Sequence, residues 1–511
     1  MSSTAENNKR IAKNTLLLYV RMLFTIIVGL YTSRVVLNTL GVNDYGIYNV
    51  VGGIVAMLAF LNSAMTAASQ RFISFELGTK NYQRLKEVFS TSVTIHLIIA
   101  GIIFIISETI GLWFLNTHMN ISSDRMEAAN WVYQCSILTF MVTVISVPYN
   151  ACIVAHERMK AFAYISIIEV GLKLIIVYLL LVFSTDKLIT YAILIFSVSV
   201  IIRVIYGIYC KRNFEECIYR FSVKRALWKQ MLSFVGWGML ANFGVSLRLQ
   251  GANILLNIFF NPAVNAARGI AMQVNGIVIN FSNNFLMALN PQITKEYANG
   301  NFDRTITLIY AGSRYSFYLL SIISLPMIVS IDYLLKLWLG IVPEYTNIFL
   351  KLTIVAALID TMTYPMVTAT YATGVLRRIT IIISLLNILE LPLVYFILKL
   401  GGAAYMSMYP TIAIALINLL TRFFLLKRII TGLNAKHFIL KILIPNIFIT
   451  GFAYFISIVI KFYILSENNF IDFILSATIS VIVLIVLIYL LGISSKERKF
   501  INKRIKNILK H

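Results

Sequence analysis

Residues 36–55 read VLNTLGVNDYGIYNVVGGIV, and residues 255–278 read LLNIFFNPAVNAARGIAMQVNGIV. Gly46-Ile47 aligns with Gly269-Ile270, and Gly53-Ile54-Val55 aligns with Gly276-Ile277-Val278. A second echo follows, with ELGTKNYQR at Glu76–Arg84 and EYANGNFDR at Glu296–Arg304. Each segment accompanies the second apolar run of a block of six. The chain therefore reads as a duplicated unit.

The surrounding composition says what is duplicated. Of 511 residues, 59% are hydrophobic and only 13% are charged, with a mean hydropathy of +0.82. Soluble domains are nearer half apolar and a quarter charged. A helix needs about 20 apolar residues to cross a bilayer, and we count about fourteen such runs. Their approximate bounds are 14–37, 45–68, 89–115, 129–153, 161–183, 188–209, 232–259, 265–289, 306–330, 347–373, 378–398, 402–425, 438–461 and 470–492. They do not alternate polar and apolar residues as barrel strands do. The fold class is an all-α membrane protein.

Charge orders the runs. The formal net charge is +23, which on a soluble protein would suggest nucleic acid. Here the cations concentrate in every second loop. The N-terminal tail carries Lys9, Arg10 and Lys13, whereas the turn from Asn38 to Asp44 carries no Lys or Arg. Arg71, Lys80, Arg84 and Lys86 follow span two, and only Arg125 follows span three. The alternation continues to the tail KERKFINKRIKNILK. This is the positive-inside pattern of a polytopic protein with both termini cytoplasmic. It leaves no case for nucleic-acid binding.

Six spans per repeat give both halves the same orientation, so their pseudo-two-fold axis lies along the membrane normal. The expected domains are a first six-helix lobe at 1–210, a basic cytoplasmic linker at 211–231 and a second lobe at 232–430. Two extra helices at 431–492 and a basic cytoplasmic tail at 493–511 complete the chain. Span one is too long for a cleaved signal and lacks a cleavage site.

No sequence feature marks an enzyme or a cofactor. A Walker A motif is absent. Cys135, Cys152, Cys210 and Cys217 form neither a CxxC pair nor a zinc spacing, and the five His form no HExxH, so neither a disulfide nor a metal is expected. The outside loops are too short for a catalytic domain.

The remaining chemistry is charge and polarity inside the spans. A mid-span Arg costs about 2.5–3.5 kcal/mol to insert, so it turns to a protein interior or to water. Arg21, Arg34, Arg248 and Arg268 are candidates for an anion-binding, cationic cavity, because guanidinium forks match phosphate oxygens at any relevant pH. Snorkelling to headgroups is the alternative for each. In span seven, Asn242, Ser246, Gln250, Asn253 and Asn257 form one stripe suited to sugar hydroxyls or to interhelical hydrogen bonds. On a straight helix Arg248 falls about 160° from that stripe. Either Gly244 or Gly251 bends the helix, or the stripe packs while Arg248 faces the cavity. Span eight adds Asn275 and Asn283. Asp360 in span ten and Glu390 in span eleven, near Pro365 and Pro392, are candidates to couple H⁺ or Na⁺. Glu169 is a third candidate, though Lys173 stands at i+4 to neutralise it. His96 reads as a packed polar residue.

The 6+6+2 arrangement, LGVNDYGIYNVVGGIV and NPAVNAARGIAMQVNGIVINFSNNFLMALNPQITKEYANGN resemble the multidrug/oligosaccharidyl-lipid/polysaccharide exporter superfamily over nearly the whole chain. Within it the chain resembles the Wzx-type polysaccharide (O-antigen or capsule) flippases. That resemblance implies two lobes, alternating access and transfer of an undecaprenyl-diphosphate-linked oligosaccharide between leaflets of the bacterial inner membrane. It also implies ion coupling, and a functional monomer working near glycosyltransferases and a glycan polymerase. A drug or metabolite antiporter of the same superfamily and a membrane enzyme of glycan assembly are the alternatives.

Overall fold

The computed structural model describes the backbone of residues 2–78, 81–156, 158–182, 185–221, 224–373, 375–464, 469–493, 497–499 and 502. Within those segments, the side chains of residues 2–22 and of scattered positions in 59–78, 159, 226–242, 281–298, 376 and 464 are not described. Among the described residues there is no strand.

The helices are α1 (Ser2–Ala56), α2 (Ala59–Gly78), α3 (Tyr82–Ile106), α4 (Leu112–His118), α5 (Met126–Ala155) and α6 (Met159–Val182). They continue as α7 (Lys187–Asn213), α8 (Arg225–Ser246), α9 (Ala252–Phe259), α10 (Pro262–Ala298), α11 (Phe302–Val329) and α12 (Ile331–Leu339). The last six are α13 (Thr346–Thr373), α14 (Leu376–Lys399), α15 (Met408–Lys427), α16 (Ala435–Phe438), α17 (Ile444–Ile464) and α18 (Phe470–Leu487). Among the described residues, 11 helices are long and apolar enough to cross a membrane. This is a multi-pass membrane protein.

The turn expected between spans one and two narrows to a single residue. Gly41, at φ 80° and ψ 169°, breaks α1 in two, a conformation that side chains resist and glycine adopts. Among the described residues, four π-turns interrupt or end helices: Ser107–Gly111, Leu247–Gly251, Ile439–Leu443 and Ile488–Gly492. A π-turn closes on i→i+5 bonds, fits one extra residue into a turn and changes the phase of all that follows.

The chain forms two compact units. The first holds Met1–Gly269, Leu339–Glu344 and Asn387–Ala404; the second holds Ile270–Trp338, Tyr345–Leu386 and Tyr405–His511. The bounds of these units do not coincide with those expected for the lobes. Met239 of α8, for example, packs on the cluster of Met65, Ala68, Ala100 and Val144 in the first unit.

The first unit is built around Val50, Val51, Val132, Tyr133 and Leu188, contributed by α1, α5 and α7. The two aligned glycines both lie where α1 crosses α10. A Cβ on Gly46 would stand 1.8 Å from the Pro262 carbonyl oxygen, and one on Gly269 would stand 2.7 Å from Asn49 Oδ1. Glycine at these positions lets the helices touch.

In the second unit Pro365 removes a backbone donor from α13. The Ser313 hydroxyl donates to the nearby Met362 carbonyl at 2.7 Å, and Gly312 leaves room for the proline ring.

The second sequence echo is also visible in the structure. Asn81 caps α3 by accepting from the Arg84 amide at 3.1 Å, and Asn301 caps α11 by accepting from the Arg304 amide at 3.4 Å. The Asn81 amide donates to the Glu76 carbonyl, and the Asn301 amide to the Glu296 carbonyl. Each cap satisfies helix-start donors that would otherwise face the membrane interface.

Candidate functional site

Span seven resolves the conflict between its two polar faces by changing phase. Arg248 lies inside the π-turn Leu247–Gly251, between the inner part of the stripe and its outer part. Beyond the turn, Asn253 and Asn257 point into protein. Asn265 Nδ2 donates to the Asn253 carbonyl at 2.7 Å and to Asn253 Oδ1 at 2.9 Å. Asn257 Nδ2 donates to Asn265 Oδ1 at 3.3 Å, and Asn257 Oδ1 accepts from the Asn120 amide at 2.9 Å. Asn253 also donates to the Asn49 carbonyl at 3.4 Å. These amides fasten α9 to α10 and α1, and they leave Asn253 buried rather than turned to a lumen. Of the two roles open to the stripe, sugar contact and interhelical hydrogen bonding, Asn253 makes the second here. Gln250 is half-buried, and a Cβ on Gly53 would stand 3.2 Å from its Oε1.

Arg248 turns to an acid far away in sequence. Its Nε lies 2.7 Å from Glu390 Oε2, with side-chain exposures of 12% and 1%. An arginine buried in an apolar layer must be paired to be tolerated, and Glu390 supplies the pair. Arg268 is buried too. Its Nη2 donates to the Leu249 carbonyl at 3.1 Å, inside the same π-turn. Winding to i→i+5 disturbs the carbonyl ladder there, and Arg268 meets part of that demand. Glu390 attracts Arg268 electrostatically and Arg248 repels it. Among the described residues, two guanidinium groups and one carboxylate thus share one site in the first unit.

The other expected residues are placed as follows. Arg34 is exposed on α1. Glu169 pairs with Lys173 at 2.6 Å, so its charge is met locally. Asn275 and Asp360 are half-buried in the second unit. The side chains of Arg21, Asn242 and Asn283 lie outside the described residues. His96 is buried, its Nδ1 2.6 Å from the Ser92 carbonyl oxygen.

Two clusters at the ends of the first unit were not expected. Arg125 is held by Asp44, 2.9 Å from its Nε, and by Asp186, 2.5 Å from its Nη1. Asp186 also caps α7 through the Leu188 and Ile189 amides. Burial pushes the Asp186 carboxyl up, but Arg125 and those amides outweigh it and hold the group below its ordinary value. The sequence signal was the lone cation in that loop. On the basic side, His156 Nε2 lies 2.5 Å from Glu216 Oε1, and Lys224 Nζ lies 2.5 Å from Glu87 Oε1. Burial raises Glu216, yet the His156 hydrogen bond leads the interactions that bring it below its ordinary value. The linker is thereby stitched to the ends of α3 and α5. Cys135, Cys152, Cys210 and Cys217 are free and buried.

The model of the family described as "Polysaccharide biosynthesis protein" matches residues 11–332, more than half of the chain. The chain belongs to the polysaccharide biosynthesis protein family. Solved structures share its fold at low identity. The lipid II flippase MurJ in an inward closed conformation aligns over 92% of this chain and 98% of its own, with 12% identity and a TM-score of 0.64. An inward-facing MATE-family multidrug resistance transporter of the MOP superfamily aligns over 81% of this chain and 98% of its own, with 14% identity and a TM-score of 0.59. A MOP-superfamily transporter from Pyrococcus furiosus, described as having a binding pocket of reverse polarity, aligns over 82% and 96%, with 14% identity and a TM-score of 0.53. No curated protein matches the chain. This member of the polysaccharide biosynthesis protein family has the fold of MOP-superfamily transporters.

Proposed function

We propose that the protein flips an oligosaccharide linked to a polyprenyl diphosphate from the cytoplasmic to the outer leaflet of a bacterial inner membrane, with both termini cytoplasmic. The observation that carries this reading is the buried Arg248–Glu390 pair with Arg268 beside it. A diphosphate offers several oxygens to a guanidinium fork and competes with Glu390 for Arg248. Protonation of Glu390 would neutralise the carboxylate and leave both arginines to the cargo, which would couple cargo binding to H⁺. Arg21, Arg34, Gln250, Asn275 and Asn283 are further candidates to follow the headgroup and sugars, and Asp360 is a second candidate for coupling. The two six-helix lobes of the sequence repeat would provide the alternating access. A site with two guanidinium groups disfavours cationic drugs as cargo, which sets the antiporter reading behind this one.

The test is transfer of labelled undecaprenyl-diphosphate-linked sugar in proteoliposomes. Arg248→Ala is expected to lower the rate by about a hundredfold, the loss of roughly 3 kcal/mol of charge-assisted hydrogen bonding, in protein that still inserts. Wild-type transfer by that variant would remove the site from the function.

A further inference from the structure

A cavity in the first unit contains about 890 Å³ and is almost wholly apolar. Five helical segments contribute to its wall, and three of them are distorted there. Ser107 and Gly111 belong to the π-turn between α3 and α4. Gly251 ends the π-turn between α8 and α9. Pro392 interrupts α14. The glycines admit large neighbours: a Cβ on Gly111 would meet the Tyr133 hydroxyl at 1.9 Å, and one on Gly251 would meet Leu391 at 2.6 Å. Tyr133 spends its hydroxyl on the Ser107 carbonyl at 2.9 Å, so it offers the cavity its ring. π-turns favour functional sites because they re-aim side chains. Here two of them shape one groove.

The groove adjoins the charged site through the chain itself. Arg248 and Gly251 share one π-turn, with Arg248 paired to Glu390 and Gly251 in the groove wall. Glu390 lies between Ile388 and Leu391, which both line the groove. A buried cation at the end of an apolar channel suits a molecule with an anionic head and a long hydrocarbon tail. Resting on the reading of the charged site above, we infer that this groove holds the first isoprenoid units of the cargo's polyprenyl chain while its diphosphate is at Arg248. Tails in a bilayer are already in an apolar solvent, so the groove gains little from desolvation. It acts by position. It keeps the tail beside the head, and the tethered head raises the local concentration of tail at the groove.

The experiment places a photoreactive benzophenone side chain at Ile258, in the groove wall, of the full chain in bilayers containing radiolabelled undecaprenyl diphosphate. The same side chain at Phe448, an exposed residue of α17, is the reference. Crosslinking to the prenyl lipid is expected to exceed the reference by about tenfold or more, a modest effective-concentration gain, and excess inorganic diphosphate is expected to abolish the excess. Equal prenyl labelling at both positions means that bulk acyl chains fill the groove, and overturns the inference. Arg248→Ala separates the two claims. If undecaprenyl diphosphate binds in an Arg248-dependent manner while Ile258 shows no enrichment, the groove assignment falls and the charged site stands. If Ile258 is enriched but Arg248→Ala binds as wild type, the groove stands and the head site falls.

Discussion

Arg125 and Arg248 are both held by carboxylates in the first unit, but in different surroundings. Arg125 lies among loop ends and is one-quarter exposed, with two acids that are 19% and 32% exposed. Arg248 is paired with Glu390, which is 1% exposed. Water moderates the first cluster, so it acts as a clip between loops. The second is almost closed to solvent, so little water can replace a lost partner and breaking the pair is expected to cost more stability.

The largest expected effect comes from breaking the inner pair on one side. Glu390→Ala strips Arg248 of its carboxylate, and thermal unfolding in detergent should show a loss of about 3–5 kcal/mol. Replacing both partners with apolar residues, as Arg248→Met with Glu390→Leu, should recover most of that stability while transfer stays lost. If the double variant transports, the pair is structural only. The outer clip should matter less: Arg125→Ala leaves Asp44 facing Asp186 and is expected to cost about 1–2 kcal/mol, read as faster amide exchange in residues 119–126. The smallest effect is acid sensitivity of that clip. Asp186 has a lowered pKa in the fold, so its contribution is complete above the unfolded carboxyl value of about 3.9 and fades as pH falls below it through the folded value. Exchange at the α7 N-terminus should therefore rise only in that acid window, and Asp186→Asn should remove the dependence.

The sequence allowed much of the fold to be anticipated. Apolar runs and alternating loop charge place the helices, because insertion into lipid tests each segment locally. Asn81 and Asn301, paired by the second echo, cap their helices in the same way, and Gly46 and Gly269, paired by the first, lie at a helix crossing. The site was half legible. Arg248, Arg268 and Glu390 stood out as charges in apolar runs, but their meeting depends on tertiary packing that no local pattern encodes. Asn253 shows why a helical step alone does not place a stripe. The stripe was drawn at a constant helical step, and the π-turn at Leu247–Gly251 advances the phase between its two ends. Gly251 was one of two residues singled out for a bend, and the turn ends there.

That turn also has a consequence for descent. One surplus residue in a helix is what a single-codon insertion leaves behind when the residues on either side keep their contacts. Relatives that lack the surplus should align with a one-residue gap within 247–251 and show uninterrupted α-helical winding there. Deleting one residue from this turn would swing α9 by about 100° and tear the Asn253–Asn257–Asn265 fastening from its partners.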